Sequence, residues 1–499
     1  MSYKIDLSTL QRDGDVSLTQ QLVERFATAI DSGVLEPGEK LPPTRDLAAQ
    51  VGVNHLTAAR VYRKLAELGY VTASVGRGTF VRSLAPAGSS EYGDDWQVYA
   101  LPQRELTYPE QVLADSFASA GESGLISLAV GWPSPRLFPT EQIARITAEV
   151  FEEEGGDALS YLPAEGLWAF REQLAARGRE AGWAEDADEI VVTSGAKQAL
   201  NLVARATLEQ DDVALIESPT FLGMLESLRL AGARVIGVPV DEDGLDVDTL
   251  ERLLARHEVK VVALQTACQN PTGRHLSEDR RRRLAELAVE RNFFLLEDSV
   301  YADAHFEGDP VRPLRELAPA HVIYVNSLSK VVGGGLRAGW VAARGPVRDR
   351  IAMLKLEDDF HTPTLIQHIA ARWLAAGAHD RHIAATLPFY RERRDALLAA
   401  LERHLAGEYR ADPPRGGHHV WVTLTRPLDE RALYSEAARH GVSFTPGGAV
   451  TAERRSQTAL RLSFSLLDPE ELDEGVRRLA RAIREVRRRA RRPVATPMS

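Results

Sequence analysis

Lys330 lies in the string SLSKVVGGGLRAG and is one of seven lysines in a chain that writes nearly all its other basic residues as arginine. An amine flanked by small and hydroxyl residues can form a Schiff base with an aldehyde cofactor, and Ser327 and Arg337 on either side could hold a phosphate on that cofactor. Four further strings fit the same chemistry. Asp298 closes the apolar run of LLEDSVY, and a carboxylate at a buried strand end must be paired or hydrogen-bonded. A protonated pyridinium nitrogen would satisfy it and would make the ring an electron sink. Asn270, on the turn QNPTG, and Tyr301 could both donate to a phenolate oxygen on the other side of that ring. Phe221, in SPTFLG, offers an aromatic face for stacking. Gly195, Ala196 and Lys197 open a helix after a strand, where free N–H groups and the positive dipole end form a phosphate seat.

Taken singly, each string has an ordinary reading. Asp298 reads as a helix N-cap, NPTG as a turn, and Arg337 as a surface or ion-pair residue. Their order and their strand-end positions point to one site. Apolar, β-branched runs at 189–195, 212–218, 234–240, 259–265, 293–298 and 322–329 predict strands. Helical patterns at 196–208, 223–231, 246–256 and 277–291 fall between them. Such alternation predicts a mainly parallel sheet covered on both faces, with the site beyond the carboxyl ends of its strands.

The chain upstream has a different character. Leu18, Leu22, Phe26 and Ile30 make one helical stripe that Gly33 stops. A short helix follows Pro43 and ends near Gly52. A third starts at Asn54, a plausible N-cap, and stops at Gly69. YVTASVGRGTFV then alternates around Gly76 and Gly78, as a two-stranded wing would. This is a helix-turn-helix pattern, whose second helix enters the major groove by its N-terminal end. That end carries Asn54, His55 and Thr57, with Arg60 and Lys64 further along. Between Lys40 and Arg82 seven basic residues face two acidic ones, although the whole chain carries a net charge of -11. Basic charge confined to one module is what DNA contact needs.

A chain of 499 residues is too long for one core. We expect a DNA-binding domain over 1–82, a turn-rich linker over 83–107, a large domain over 108–485 and a basic, disordered tail over 486–499. The single cysteine, Cys268, excludes an internal disulfide. No run approaches the roughly 20 apolar residues that span a bilayer, so a cytoplasmic protein is expected. No metal site is read from the sequence.

LPPTRDLA, the Val-Asn-x-x-Thr helix start and GRGTFV together resemble the winged helix of GntR-type regulators. The resemblance implies that Arg45, Thr57, Arg60 and the wing at Arg77–Gly78 approach a double-stranded operator. His55 stands where many relatives have arginine, so operator preference is expected to differ. Residues 108–485 resemble the fold-type I, pyridoxal-phosphate-dependent aminotransferases, with a small C-terminal α+β subdomain. That resemblance implies that Lys330 is the Schiff-base lysine and Asp298 the pyridinium partner. It also implies that Asn270 and Tyr301 hold the ring oxygen and Phe221 stacks on the ring, while Ser327, Arg337 and the 195–197 turn hold the phosphate. Ala196 and Lys197 replace the serine and glutamine common in the family, so altered phosphate contacts are expected. SLAVGWPSP, which contains Gly131, and LRLSFS match effector-binding strings, with Arg461 implied to clamp a carboxylate. Tyr161 is implied to reach the phosphate of a second subunit in a homodimer. His418, His419, Trp132 and His361 are candidates for contacting an effector side chain. The layout resembles MocR-type regulators. It implies a transcription factor that senses an amino compound or the cofactor through aldimine exchange at Lys330, with a working aminotransferase as the alternative.

Overall fold

Ser17 and Asn54 start the two long helices of the N-terminal unit. The Ser17 hydroxyl accepts from Gln20 N–H at the head of α1 (Leu18–Asp31), and Asn54 Oδ1 accepts from Leu56 N–H at 2.9 Å at the head of α3 (His55–Glu67). Each such cap is worth about 1 kcal/mol. Between them α2 (Thr44–Val51) ends on Gly52, whose left-handed φ of 66° suits a residue without a Cβ. Strand β1 (Val71–Ser74) pairs antiparallel with β2 (Gly78–Val81). Leu22, Phe26, Leu47, Val61, Leu65, Val71 and Val81 close one core beneath the three helices and the wing. The computed structural model describes residues 10, 17–74, 78–82, 107–118, 124–453 and 457–490. Arg77 and nearly all of the expected linker lie outside them.

The chain divides into two compact units at Glu105 and Leu106. In the second, β3 (Ile126–Ser127) is followed by the strands of the main sheet: β4 (Ile190–Thr193), β5 (Val213–Ser218), β6 (Arg234–Asp241), β7 (Gly244–Leu245), β8 (Val259–Leu264), β9 (Phe294–Asp298), β10 (Val322–Ser327) and β11 (Gly339–Ala342). Their spatial order is β4-β11-β10-β9-β8-β5-β6-β7. The pairs β10–β9, β9–β8, β8–β5 and β5–β6 are parallel, while β11 runs antiparallel to both β10 and β4 and β7 antiparallel to β6. The sheet is therefore mixed but mainly parallel. Helices Ala196–Thr207, Leu222–Leu230, Val247–Leu254 and Glu278–Arg291 are its crossovers.

Successive strand residues point to opposite faces, and both faces are apolar. Leu215, Val262 and Leu295 pack with Leu250 and Leu284 on one side. Ile216, Val261 and Leu296 pack with Val203 and Leu225 on the other. The carboxyl ends of β4, β5, β8, β9 and β10 thus open on the same edge.

The subdomain holds a second sheet, β12 (Tyr409–Arg410), β13 (His419–Leu424), β15 (Thr445–Pro446) and β16 (Ala459–Ser463), in the order β12-β13-β16-β15. A further strand, β14 (Val442–Ser443), pairs in parallel with β3, which ties the segment ahead of Gly131 to this subdomain. Leu401, Val422, Leu462, Phe444, Leu479 and Ile483 form its core. The last helix, Pro469–Ala490, runs five residues past position 485, where a tail was expected. Several of its arginines are paired: Arg477 and Arg478 with Glu474, Arg487 with Glu408, and Arg489 with Glu436. No helix among the described residues is long and apolar enough to cross a membrane.

Candidate functional site

Strand β10 ends at Ser327 and the chain tightens into a 3-10 turn, Leu328–Lys330, that carries the lysine. Lys330 Nζ donates to Gly131 O at 2.9 Å and lies 5.4 Å from the centre of the Tyr301 ring. Burial, assisted by the charge of Arg461 and opposed by Asp298, draws the amine down to about 8. A larger share of it is therefore in the nucleophilic form near neutrality than for an exposed lysine.

Asp298 ends the neighbouring strand and is 1 % exposed. It accepts from Gln265 Nε2 at 3.1 Å and from Val300 N–H at 3.3 Å. Burial nonetheless pushes its carboxyl up to about 6. Gln265 also accepts the Asn270 N–H at 2.8 Å, so one amide positions two of the expected residues. Tyr301 is buried, its hydroxyl lies 3.1 Å from His419 Nε2, and burial raises its phenol above the ordinary range. Asn270 Oδ1 accepts from Arg461 Nη1 at 3.2 Å.

Arg461, on β16, also donates through Nη2 to Ala129 O and to Thr445 Oγ1. All these acceptors are neutral, and among the described residues no carboxylate pairs with it. Burial pulls its guanidinium down to about 10. A ligand carboxylate would supply the missing counter-charge in a bidentate geometry. Gly131 is held so close to His419 that a Cβ there would collide with His419 Cε1. His418 and His419 are both buried, and each carries one ring nitrogen without a hydrogen-bond partner. Burial drives His418 down to about 3 and His419 well below its ordinary value, so both are neutral.

The residues expected to hold a phosphate gather at the carboxyl end of β4. Gly195 caps helix Ala196–Thr207 with a φ of +91°, and a Cβ there would meet Arg337 Nη2 at 2.5 Å. Arg337 Nη2 donates to Ser194 O at 2.6 Å. The Ser327 hydroxyl accepts from Ser329 N–H, and Ser329 Oγ is buried without a partner. Ser329, like Gln265, is a residue that sequence reasoning passed over. Lys197 departs from expectation. Its ammonium donates to Gly223 O and Ser227 Oγ, both at 2.7 Å, and to Asn201 Oδ1 at 3.2 Å. Its charge is thus spent on helix Leu222–Leu230, and only its backbone N–H belongs to the helix N-terminus. Phe221 caps that second helix with its ring over Gly223.

Tyr161 stands apart, 85 % exposed, with its ring edge-on to His361 at 5.5 Å. Trp132 packs edge-on to Phe117. In the N-terminal unit Arg45, Asn54, His55, Arg60, Lys64 and Gly78 are exposed and Thr57 is half-buried. Two of these are already engaged: Asn54 as the helix cap, and Lys64 as donor to Gln20 Oε1 at 2.8 Å. Gly78, with a φ of +118°, has Lys40 Cε 2.8 Å from where its Cβ would be, so Lys40 lies across the wing.

Residues 124–479 match the family model of class I and II aminotransferases. The chain belongs to that family. Residues 18–81 match the gntR family of bacterial regulatory proteins, so this aminotransferase-family chain carries a DNA-binding domain at its head. It is 36 % identical over 370 residues to aromatic-amino-acid aminotransferase 1 of Thermococcus litoralis, covering 73 % of this chain and 89 % of that protein. It is 26 % identical over 486 residues to the probable rhizopine catabolism regulatory protein MocR of Rhizobium meliloti, covering 95 % of each. Among solved structures, the α-aminoadipate aminotransferase LysN of Thermus thermophilus, complexed with N-(5'-phosphopyridoxyl)-L-leucine, has a TM-score of 0.70 at 33 % identity, covering 77 % of this chain and 100 % of that one. The two-part layout, GntR domain then aminotransferase domain, is that of the MocR-type regulators.

Proposed function

We propose that this chain is a transcriptional regulator whose aminotransferase-family unit holds pyridoxal phosphate at Lys330 and responds to an amino compound or to the cofactor itself. One observation carries the reading: a winged-helix unit shares a chain with a cluster in which Lys330, Asp298, Tyr301, Asn270 and Arg461 converge.

The residues fit the cofactor by their own chemistry. An amine, a buried carboxyl that makes no ion-pair contact among the described residues, an orphaned Ser329 hydroxyl and the Gly195–Arg337 cradle are what an aldehyde, a ring nitrogen and a phosphate require. When bound, pyridoxal phosphate supplies an aldehyde carbon open to amines and a cationic ring able to accept electrons from a bound amino acid. Lys330 Nζ would hold the aldehyde carbon and, once released, move a proton. Asp298 would hold the ring N–H, Tyr301 and Asn270 the ring oxygen, and Phe221 the ring face. Ser327, Ser329, Arg337 and the N–H groups at 195–197 would hold the phosphate, with the Lys197 side chain left out. Arg461 would bind an effector carboxylate beside Gly131, with His418 and His419 facing the remainder of that effector.

The exposed Tyr161 is suited to reach the phosphate of a second copy in a homodimer. An amine that replaces Lys330 Nζ and anchors on Arg461 would then bias a two-state arrangement of that dimer. It does so only to the extent that it binds the two arrangements unequally. Transamination is the second reading, favoured by a Lys330 amine near 8, which is suited to general acid–base work. An absorbance titration of purified protein with amino acids and amines tests both, with operator binding followed in parallel. A spectral shift that halts without keto-acid release and changes DNA affinity supports the sensor. Steady keto-acid formation with unchanged DNA affinity replaces it with the catalyst.

A further inference from the structure

Cys268, His275 and His305 use none of the chemistry above, yet each offers a ligand atom, and these atoms lie within 4.8 Å of one another. Two separate segments bring them together. Cys268 sits at a left-handed φ of 48° ahead of the turn that Gly273 N–H and Gln269 O close at 2.6 Å, and that turn returns the chain to His275. His305 arrives from the loop after Tyr301, where it bridges to Gly416. Gly416 lies so close that a Cβ there would fall 2.5 Å from Cys268 Sγ.

We propose that Cys268, His275 and His305 form a zinc-type metal site, holding a thiophilic divalent cation through one sulfur and two imidazole nitrogens. The geometry suits it. Cys268 Sγ stands 3.7 Å from His275 Nε2. Two such donors on one tetrahedral zinc, with bonds of about 2.3 and 2.0–2.1 Å, are roughly 3.5 Å apart. His305 Nε2 lies 3.0 Å from Gly308 O, and donating there leaves Nδ1 with its lone pair, the outer hydrogen bond that orients metal-binding imidazoles. The donor set is soft enough for zinc and too poor in oxygen for magnesium or calcium.

Burial keeps Cys268 and His275 neutral. Burial pushes the Cys268 thiol up to about 12, and burial with His305 and Arg415 brings His275 down to about 4. Binding would release the thiol proton as the sulfur–metal bond forms. Three protein ligands leave a fourth position for water, and the half-buried histidines give access from solvent. The ion would brace the turn carrying Asn270 against the loop that follows Tyr301.

The test is metal retention by untagged full-chain protein, stripped with chelator, supplied with Zn²⁺ and desalted. One zinc per chain is expected for the wild type. Competition with a chromophoric chelator should show affinity lower by at least about 10–100-fold in both Cys268→Ser and His305→Gln. Zinc should raise the melting temperature of the wild type and of neither variant. If Cys268→Ser fails to fold, the half-buried His305→Gln variant carries the comparison. No retained zinc in the wild type, or equal retention in the variants, as binding at His418 and His419 would give, overturns the assignment.

Discussion

The side-chain amide of Gln265 donates to Asp298 Oδ2 at 3.1 Å while its carbonyl oxygen accepts the Asn270 N–H at 2.8 Å. Gln265 follows directly on β8, between the strands that end at Ser218 and Asp298, and it is itself buried. The residue proposed to hold the ring nitrogen and the one proposed to hold the ring oxygen are thus registered by a single group. Gln265→Ala should therefore loosen both ends of the ring. A weakened and shifted cofactor band is expected, and an unchanged spectrum and cofactor affinity would count against that coupling.

Lys330→Ala should abolish the absorbance band near the visible–ultraviolet border that survives desalting in the wild type. Wild-type protein that stays colourless with added cofactor would remove the basis for Lys330 chemistry altogether.

Asp298 has a pH signature. Its folded carboxyl sits at about 6, against about 4 for an unfolded one. A raised acid keeps its proton more tightly in the folded state, so its contribution is fully present below the unfolded value and is lost as pH rises towards the folded one. At about 1.4 kcal/mol per unit the loss is on the order of 2–3 kcal/mol, complete above about pH 6. Glu297, raised to about 7, and Glu217, raised to about 8, add losses of the same sign over a wider range. Relative to cofactor-free Asp298→Asn, the melting temperature of the cofactor-free wild type should fall as pH rises from about 4 to 6, a comparison that cancels the opposite trend of the buried His275, His418 and His419. Parallel curves for the two proteins would refute this.

Arg461→Lys should reduce the preference for an amino acid over the amine lacking its carboxylate by about tenfold or more, since the ammonium cannot reproduce a bidentate fork. The comparison is made by spectral titration with each such pair. Equal losses for both members would place Arg461 in a structural role instead.

Arg60→Ala should weaken operator binding and lower the salt slope by about 1, as expected for one lost phosphate contact. Lys64→Ala should do less, because its ammonium is already held by Gln20. Fluorescence anisotropy at several salt concentrations separates the two.

The principal strands and crossover helices were legible because their signals are local. Runs such as FFLLED and VIYVNSLS are apolar on both faces, and caps, glycines and prolines punctuate them. Observed bounds such as Phe294–Asp298 and Ala196–Thr207 lie within about two residues of the pattern. Strand β11 escaped, since GWVA is only four residues long and follows a glycine-rich loop with no periodicity of its own. The order of Asp298, Ser327, Lys330 and Arg337 along the chain could also be read, because each sits at or just beyond a strand end that the pattern marks.

Whatever depends on side chains meeting across the sequence was decided only by folding. Lys197 turning onto Gly223 and Ser227, Lys64 onto Gln20, and Gln265 between Asp298 and Asn270 are contacts 5–44 positions apart that no spacing rule encodes. The same holds for Cys268 beside His275 and His305, and for Gly131 under His419. Backbone pattern is a property of neighbouring residues, whereas burial and charge pairing, which set how each group ionises, exist only once the strands have brought distant segments to one edge.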